Sequence, residues 1–76
     1  MSFARELKRW RERKFLTQQG LADALGVSLT AVQRWEMGHT TPRAATRRKL
    51  VEVLGISPDE FFAALEERDS EGKAAA

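Results

Sequence analysis

The stretch LADALGVSLTAVQRWE, Leu21 to Glu36, constrains this chain more than any other. Helix-forming residues stand on both sides, with only Gly26, Val27 and Ser28 between the two patterns. Gly26 takes a positive φ without steric cost, and Ser28 offers a hydroxyl to cap the helix that follows. The spacing predicts two short helices meeting at a tight turn. Helices joined this way cross steeply, and their backbones come closest where Ala22 sits, since a larger side chain there would hold them apart. Leu21, Leu25, Val27, Val32 and Trp35 supply an apolar wedge on the inner side. Ser28, Leu29, Thr30, Gln33 and Arg34 are left outside, with 29, 30, 33 and 34 on one face opposite Val32 and Trp35.

The flanking sequence reads as helix throughout. Phe3, Leu7 and Trp10 recur at i, i+4 and i+7 among charged residues, a first amphipathic helix that Ser2 can cap and that fades at Lys14 and Phe15. Thr17 stands as N-cap of a short second helix ending at Leu25, and a third runs from about Leu29 to Met37, stopped by Gly38. In the loop HTTP, Thr41 is expected to cap and Pro42 to open a fourth helix that ends at Leu54 before Gly55. Ser57, Pro58 and Glu60 form a capping box with proline at N1, opening a fifth helix through Phe61, Phe62 and Leu65. No strand pattern is present. The expectation is an all-α domain over residues 1–66 and a flexible tail over 67–76, which has no apolar face.

Composition narrows the function classes. At 76 residues the chain is one domain that hides only roughly 60% of its unfolded surface on folding, so a deep enzyme cleft is not expected. Without cysteine there are no disulfides, thiolate zinc sites or thiol nucleophiles, which fits a reducing compartment. No apolar run approaches the roughly 20 residues of a membrane span, and MSFARELKRW lacks the apolar core of a signal peptide. A cytoplasmic protein with no membrane partner is expected. The net charge of +2 hides an asymmetry: residues 1–49 carry eleven Lys/Arg against four Asp/Glu, and residues 50–76 carry two against seven. A basic N-terminal portion suits a polyanion, but solvated helix faces on any small domain explain charge alone equally well.

The crossing of helices two and three is the arrangement of a helix-turn-helix, whose second helix enters the DNA major groove. The chain resembles the phage-repressor and Cro-like (XRE-type) helix-turn-helix family of bacterial and phage regulators. The likeness rests on Thr17 with Gln18, Leu21 with Ala22, Leu25 with Gly26, Val32, the RWE of Arg34 to Glu36, Gly38, Pro42, and LGISPDEFF from Leu54 to Phe62. It covers about residues 5–65 and implies a compact five-helix, lambda-repressor-like DNA-binding domain. Three positions depart from the family pattern: Phe15 where glycine usually closes the first helix, Gly20 inside the second helix, and Arg47 where the fourth often carries an apolar residue.

The resemblance assigns base reading to the outer face, Ser28, Leu29, Thr30, Gln33 and Arg34. Gln33 suits an adenine edge, Arg34 a guanine edge and Leu29 a thymine methyl, while Arg34 serves equally well as a phosphate clamp and Thr30 as a positioning contact. Thr17, Gln18 and Gln19 stand at the N-terminus of helix two, whose free N–H groups and dipole favour a phosphate. The bland alternative for Gln18 is a helix-surface glutamine. Thr40, Thr41 and Arg43, with Arg47, are the remaining phosphate candidates by resemblance, although a solvated helix face also accounts for Arg47. The family pattern further implies an ion pair between Arg11 and Glu36 that orients helix three. Lone His39 has no second histidine or cysteine to complete a metal site, and no cofactor is expected. Trp10, Trp35, Phe61 and Phe62 read as core by their spacing, with Phe61 and Phe62 about 100° apart so that one of them faces outward.

Two functions follow. The first is a sequence-specific regulator binding double-stranded DNA as a homodimer on a two-fold symmetric operator. The second is a protein-interaction module, such as an antitoxin, with a protein partner and secondary DNA binding. An enzyme ranks below both, for the sequence holds no paired acid and base, Gly-rich phosphate loop or nucleophile–base spacing.

Overall fold

The computed structural model describes residues 2–75, with side chains described through Glu66. Five helices follow in order: α1 (Phe3–Arg13), α2 (Gln18–Leu25), α3 (Leu29–Glu36), α4 (Ala44–Leu54) and α5 (Pro58–Ala75). No strand occurs among the described residues. The expected tail from residue 67 onward falls on positions whose side chains lie outside the described residues. The helix α3 stops one residue short of the expected Met37, which forms its C-terminal cap.

Side-chain oxygens start most of the helices. Ser2, Thr17, Ser28 and Ser57 accept hydrogen bonds from the backbone N–H groups of Arg5, Gly20, Ala31 and Glu60, all within 2.9–3.3 Å. Only half of the capping box at Ser57 forms. The Glu60 carboxylate turns away from its own helix end and accepts the Trp10 indole N–H at 3.1 Å, tying α5 to α1. A buried indole donor needs such a partner, and that need outweighs the local cap.

The ends of the first four helices share one device. At Gly26 (φ +71°) the N–H reaches Asp23 O at 3.2 Å, and the next N–H, of Val27, reaches Ala22 O at 3.0 Å. This 6→1 and 5→2 pair closes the helix and reverses the chain within two residues. The same pair recurs at Gly38 after α3 and at Gly55 after α4. After α1 the left-handed position is held by Phe15, at φ +58°, with Phe15 N–H on Glu12 O at 2.9 Å and Leu16 N–H on Arg11 O at 3.2 Å. Its ring is 95% exposed. The turn keeps the glycine geometry, and Phe15 is extruded from it.

The fourth helix starts later than its sequence suggests. Thr41 does not cap it and Pro42 does not open it: α4 begins at Ala44 with Arg43 at the cap position, where no side chain makes the capping bond. Pro42 is instead fully buried, in the loop before the helix. Its ring is worth more as core filling than as a helix start.

The core is one cluster. Phe3, Leu7 and Trp10 from α1, Leu21, Ala22 and Leu25 from α2, Val32 and Trp35 from α3, Leu50 and Leu54 from α4, and Phe61 and Ala64 from α5 are all buried. Phe3 meets Phe61 edge to face at 5.4 Å and Trp10 at 6.2 Å, which joins the first helix to the last. Ala22 is completely buried, on a helix that packs against α3.

A left-handed non-glycine residue costs roughly 1–2 kcal/mol, partly offset by the greater unfolded-state freedom of a glycine, roughly 0.5–1 kcal/mol. Phe15→Gly therefore raises stability by about 0.5–1 kcal/mol in urea unfolding, since the exposed ring contributes no packing.

Candidate nucleic-acid interface

The two short helices α2 and α3 are held at a fixed angle by burial of Ala22, Val32 and Trp35, and this directs the rest of α3 to solvent. Thr30, Gln33 and Arg34 are exposed and Leu29 is half-buried. At about 100° per residue these four side chains span one outward arc. Leu29 and Gln33 form one flank of it, Thr30 and Arg34 the other. Ser28, also exposed, begins the arc, though its hydroxyl oxygen accepts from Ala31 N–H at 3.1 Å.

Each flank of α3 has a different neighbour. Beside Thr30 and Arg34 a groove of about 590 Å³ separates α3 from the loop into α4; it brings Ser28, Thr30 and Arg34 together with Thr40, Thr41 and Arg43. Thr46, which the sequence reading passed over, lines it as well. A signal existed: Thr46 lies three residues after Arg43, one turn into the helix. On the other flank, Glu36 sits two turns from Leu29 and binds the N-terminus of α2, because Gln18 Nε2 donates to Glu36 Oε1 at 3.1 Å. The outward arc is thus bracketed by the start of α2 on one side and by the 40–43 loop on the other.

The expected pair of Arg11 and Glu36 forms, with Arg11 Nε donating to Glu36 Oε2 at 2.6 Å and Nη2 to Oε1 at 3.1 Å. Both side chains are nearly buried, at 10% and 5% exposure. Arg11 Nη1 also donates to Leu16 O at 2.8 Å, pinning the turn that carries Phe15. The hydrogen bond to Glu36 holds the Arg11 guanidinium above its ordinary range, against the opposing effect of burial. With Gln18 added, three elements meet on one carboxylate: the end of α1, the start of α2 and the end of α3. Its negative charge, next to the outward arc, is thereby matched.

The remaining candidates divide. Thr17 is exposed at the cap of α2, its oxygen taken by Gly20 N–H at 2.9 Å, and exposed Gln19 donates to Asp23 Oδ1 at 2.9 Å. Arg47 is not gathered with the others: its Nε donates to Pro42 O at 2.8 Å, and it lines a different groove, between α4 and α5. This bond holds the loop whose other residues face α3. No group of three or more His, Cys, Asp or Glu able to hold a metal exists among the described residues, and His39 is exposed. No helix of the described residues is long and apolar enough to cross a membrane.

A family model described as helix-turn-helix matches residues 7–61, which takes in all of α2 and α3 and the turn between them. The chain belongs to the helix-turn-helix family. It is 38% identical over 59 residues to the uncharacterized HTH-type transcriptional regulator YazB of Bacillus subtilis, covering 78% of this chain and 86% of YazB. It is also 37% identical over 57 residues to the prophage-derived regulator YonR of the same organism, covering 75% of this chain and 53% of YonR. The HTH-type transcriptional activator BcrR of Enterococcus faecalis shares 34% identity over 62 residues, 82% of this chain but 30% of BcrR. The chain thus spans most of YazB but only about half of YonR and under a third of BcrR. Family and relatives indicate a DNA-binding regulator and not an enzyme.

In a helix-turn-helix the angle of the second helix decides which side chains reach the duplex, so the network under α3 is open to direct test. Glu36→Ala leaves Arg11 buried without its carboxylate, and breaking a buried pair costs roughly 3–5 kcal/mol. Urea unfolding of this variant is expected to show a loss near the lower bound, because 10% of the Arg11 side chain and 5% of the Glu36 side chain still meet water. A loss below about 1 kcal/mol, the range of exposed pairs, would mean that the network carries little.

Proposed function

We propose that the protein is a sequence-specific regulator of transcription that binds double-stranded DNA with α3 in the major groove, as a homodimer on a two-fold symmetric operator in the cytoplasm. The observation that carries this reading is the exposed arc of Leu29, Thr30, Gln33 and Arg34, on a helix fixed from beneath and flanked on both sides by groups suited to phosphate. A B-DNA major groove is about 12 Å wide and admits one helix, with a phosphate backbone on each side of it. The start of α2 faces one backbone: its N-terminal N–H groups, with Thr17, Gln18 and Gln19, present donors and the positive end of the helix dipole. Thr40, Thr41 and Arg43 face the other.

Within the groove the roles divide by chemistry. Gln33 pairs in bidentate fashion with an adenine edge, Arg34 with a guanine edge, and half-buried Leu29 offers a rigid apolar surface to a thymine methyl. Thr30 and Ser28, beside the 40–43 loop, position the helix. The Arg11 and Gln18 bonds to Glu36 keep that carboxylate from repelling the backbone. Arg47 is left out of this account, since it lines the groove between α4 and α5 and not the one beside α3.

Base readers and phosphate binders separate in a binding assay with a duplex selected from a random pool. Gln33→Ala and Arg34→Ala each cost about 1–3 kcal/mol on the preferred duplex and alter the preferred sequence. Arg43→Ala weakens preferred and scrambled duplexes alike and lowers the salt slope by about one. Equal losses on both duplexes for all three variants would leave α3 without a base-reading role.

A further inference from the structure

Arg47 lies outside the proposed contact surface, yet it holds a residue on one of its flanks. Two successive carbonyls are bonded to it: its backbone N–H reaches Arg43 O at 3.0 Å, within the first turn of α4, and its side-chain Nε donates to Pro42 O at 2.8 Å. Each carbonyl belongs to a planar peptide unit, one before Arg43 and one after it. With both planes held, the backbone dihedrals of Arg43 are fixed at φ −69° and ψ 160°, and with them the direction in which its side chain leaves the chain. A guanidinium donor makes such a bond stronger than one between neutral groups, and half-burial of Arg47 limits competition from water.

The bond stands where the fold has no other local fastening. Among the described residues, α4 alone starts without a side-chain cap: Ser2, Thr17, Ser28 and Ser57 close the other four helices, whereas Arg43 makes no such bond. The segment before it, residues 40–43, is neither helix nor strand, and it carries Thr40, Thr41 and Arg43 to the groove beside α3. Arg47 reaches this segment from outside that groove, for it lines the one between α4 and α5. Its position is also one of the three at which the chain departs from the family pattern.

We infer that Arg47 is a positioning residue for DNA binding, which fixes the Pro42 carbonyl and so presents Arg43 and the adjoining threonines to a phosphate without itself touching the duplex. The inference rests on the proposed function and adds to it a residue that the contact surface does not contain. A loop ordered in advance has less freedom to lose on binding. Without the bond the same phosphate contacts form, but the loop has to be ordered when the duplex arrives. Affinity falls, while the number of phosphates neutralised, which the salt dependence counts, does not. A direct phosphate contact by Arg47 has the opposite signature.

Two substitutions separate these cases. In Arg47→Gln the amide Nε2 stands as many bonds from Cα as the arginine Nε, so a donor to Pro42 O is kept while the charge is lost. In Arg47→Met both are lost. Affinity of the full chain for a duplex selected from a random pool is measured across a range of salt, and the amide signals of Thr40, Thr41 and Arg43 are read from the 15N-labelled chain without DNA. Arg47→Met is expected to shift these signals and to bind about tenfold more weakly, the worth of one hydrogen bond to a charged group, with an unchanged salt slope. Arg47→Gln is expected to leave the signals near their native places and to bind within about threefold of the native chain, the difference reflecting a neutral donor. Added to Arg43→Ala, Arg47→Met costs less than it does alone, because part of its effect passes through Arg43. Arg47→Gln with a salt slope lowered by about one and native loop signals makes Arg47 a phosphate ligand and overturns the inference, as does native affinity in Arg47→Met. Should Arg47→Met fail to fold, the slope and signals of Arg47→Gln decide. A native chain that prefers no duplex overturns the functional reading, and the role in binding with it, even where the free-chain signals show the loop held by Arg47.

Discussion

A left-handed residue at the end of α2 is the constraint on which the rest of the molecule depends. Gly26 at φ +71° lets the chain end one helix and begin the next within three residues, so local backbone geometry sets the path from α2 into α3. Packing then holds that angle. With Ala22 fully buried at the crossing, Val32 and Trp35 turn inward, and the helical period sends Leu29, Thr30, Gln33 and Arg34 outward. The outward direction of this surface is therefore a consequence of one turn and one small residue. A domain this small has few other ways to hold an eight-residue helix still.

Electrostatics completes what the turn begins. The Glu36 carboxylate lies near the outward arc and, unpaired, would oppose a polyanion. Its bonds to Arg11 and Gln18 match that charge and tie the ends of three helices to one point. A buried pair of this kind adds little net stability over an apolar replacement, since desolvating two charges offsets most of their attraction. What it contributes is orientation: the direction of α3 is fixed relative to the start of α2, and these are the two elements proposed to touch groove and backbone. The same reasoning separates Arg47 from Arg43. Both are basic and near the loop, but Arg47 is bonded to the Pro42 carbonyl while Arg43 stands exposed beside α3.

Much of this was legible in the sequence, and the exceptions have physical causes. Helix order, the caps at Ser2, Thr17, Ser28 and Ser57, the Gly26 turn, the inward set and the Arg11 and Glu36 pair were all accessible from spacing or from family likeness, because each depends on neighbours in sequence or on a strong pattern. Pro42 misled because its usual place at the first turn of a helix is a local preference, overridden here by a space in the core that its ring fills. Glu60 misled similarly: the indole of Trp10, fifty residues away in sequence, is a partner that no local pattern reveals. Phe15 was a recognisable anomaly, but only the observed φ of +58° decides between a changed turn and an extruded ring. The division of phosphate candidates between the two flanks of α3 was beyond sequence reading, since it depends on the path of the loop from Gly38 to Arg43.

The proposed function places a duplex on the outward side of α3, between its two flanks. Titration of the 15N-labelled chain with a duplex selected from a random pool tests it most directly, through the amide signals of every element at once. Shifts are expected to concentrate on residues 28–34, on 17–19 and on 40–43, with the inner face of α1 unmoved. Shifts centred elsewhere, or shifts of equal size with a scrambled duplex, would contradict it.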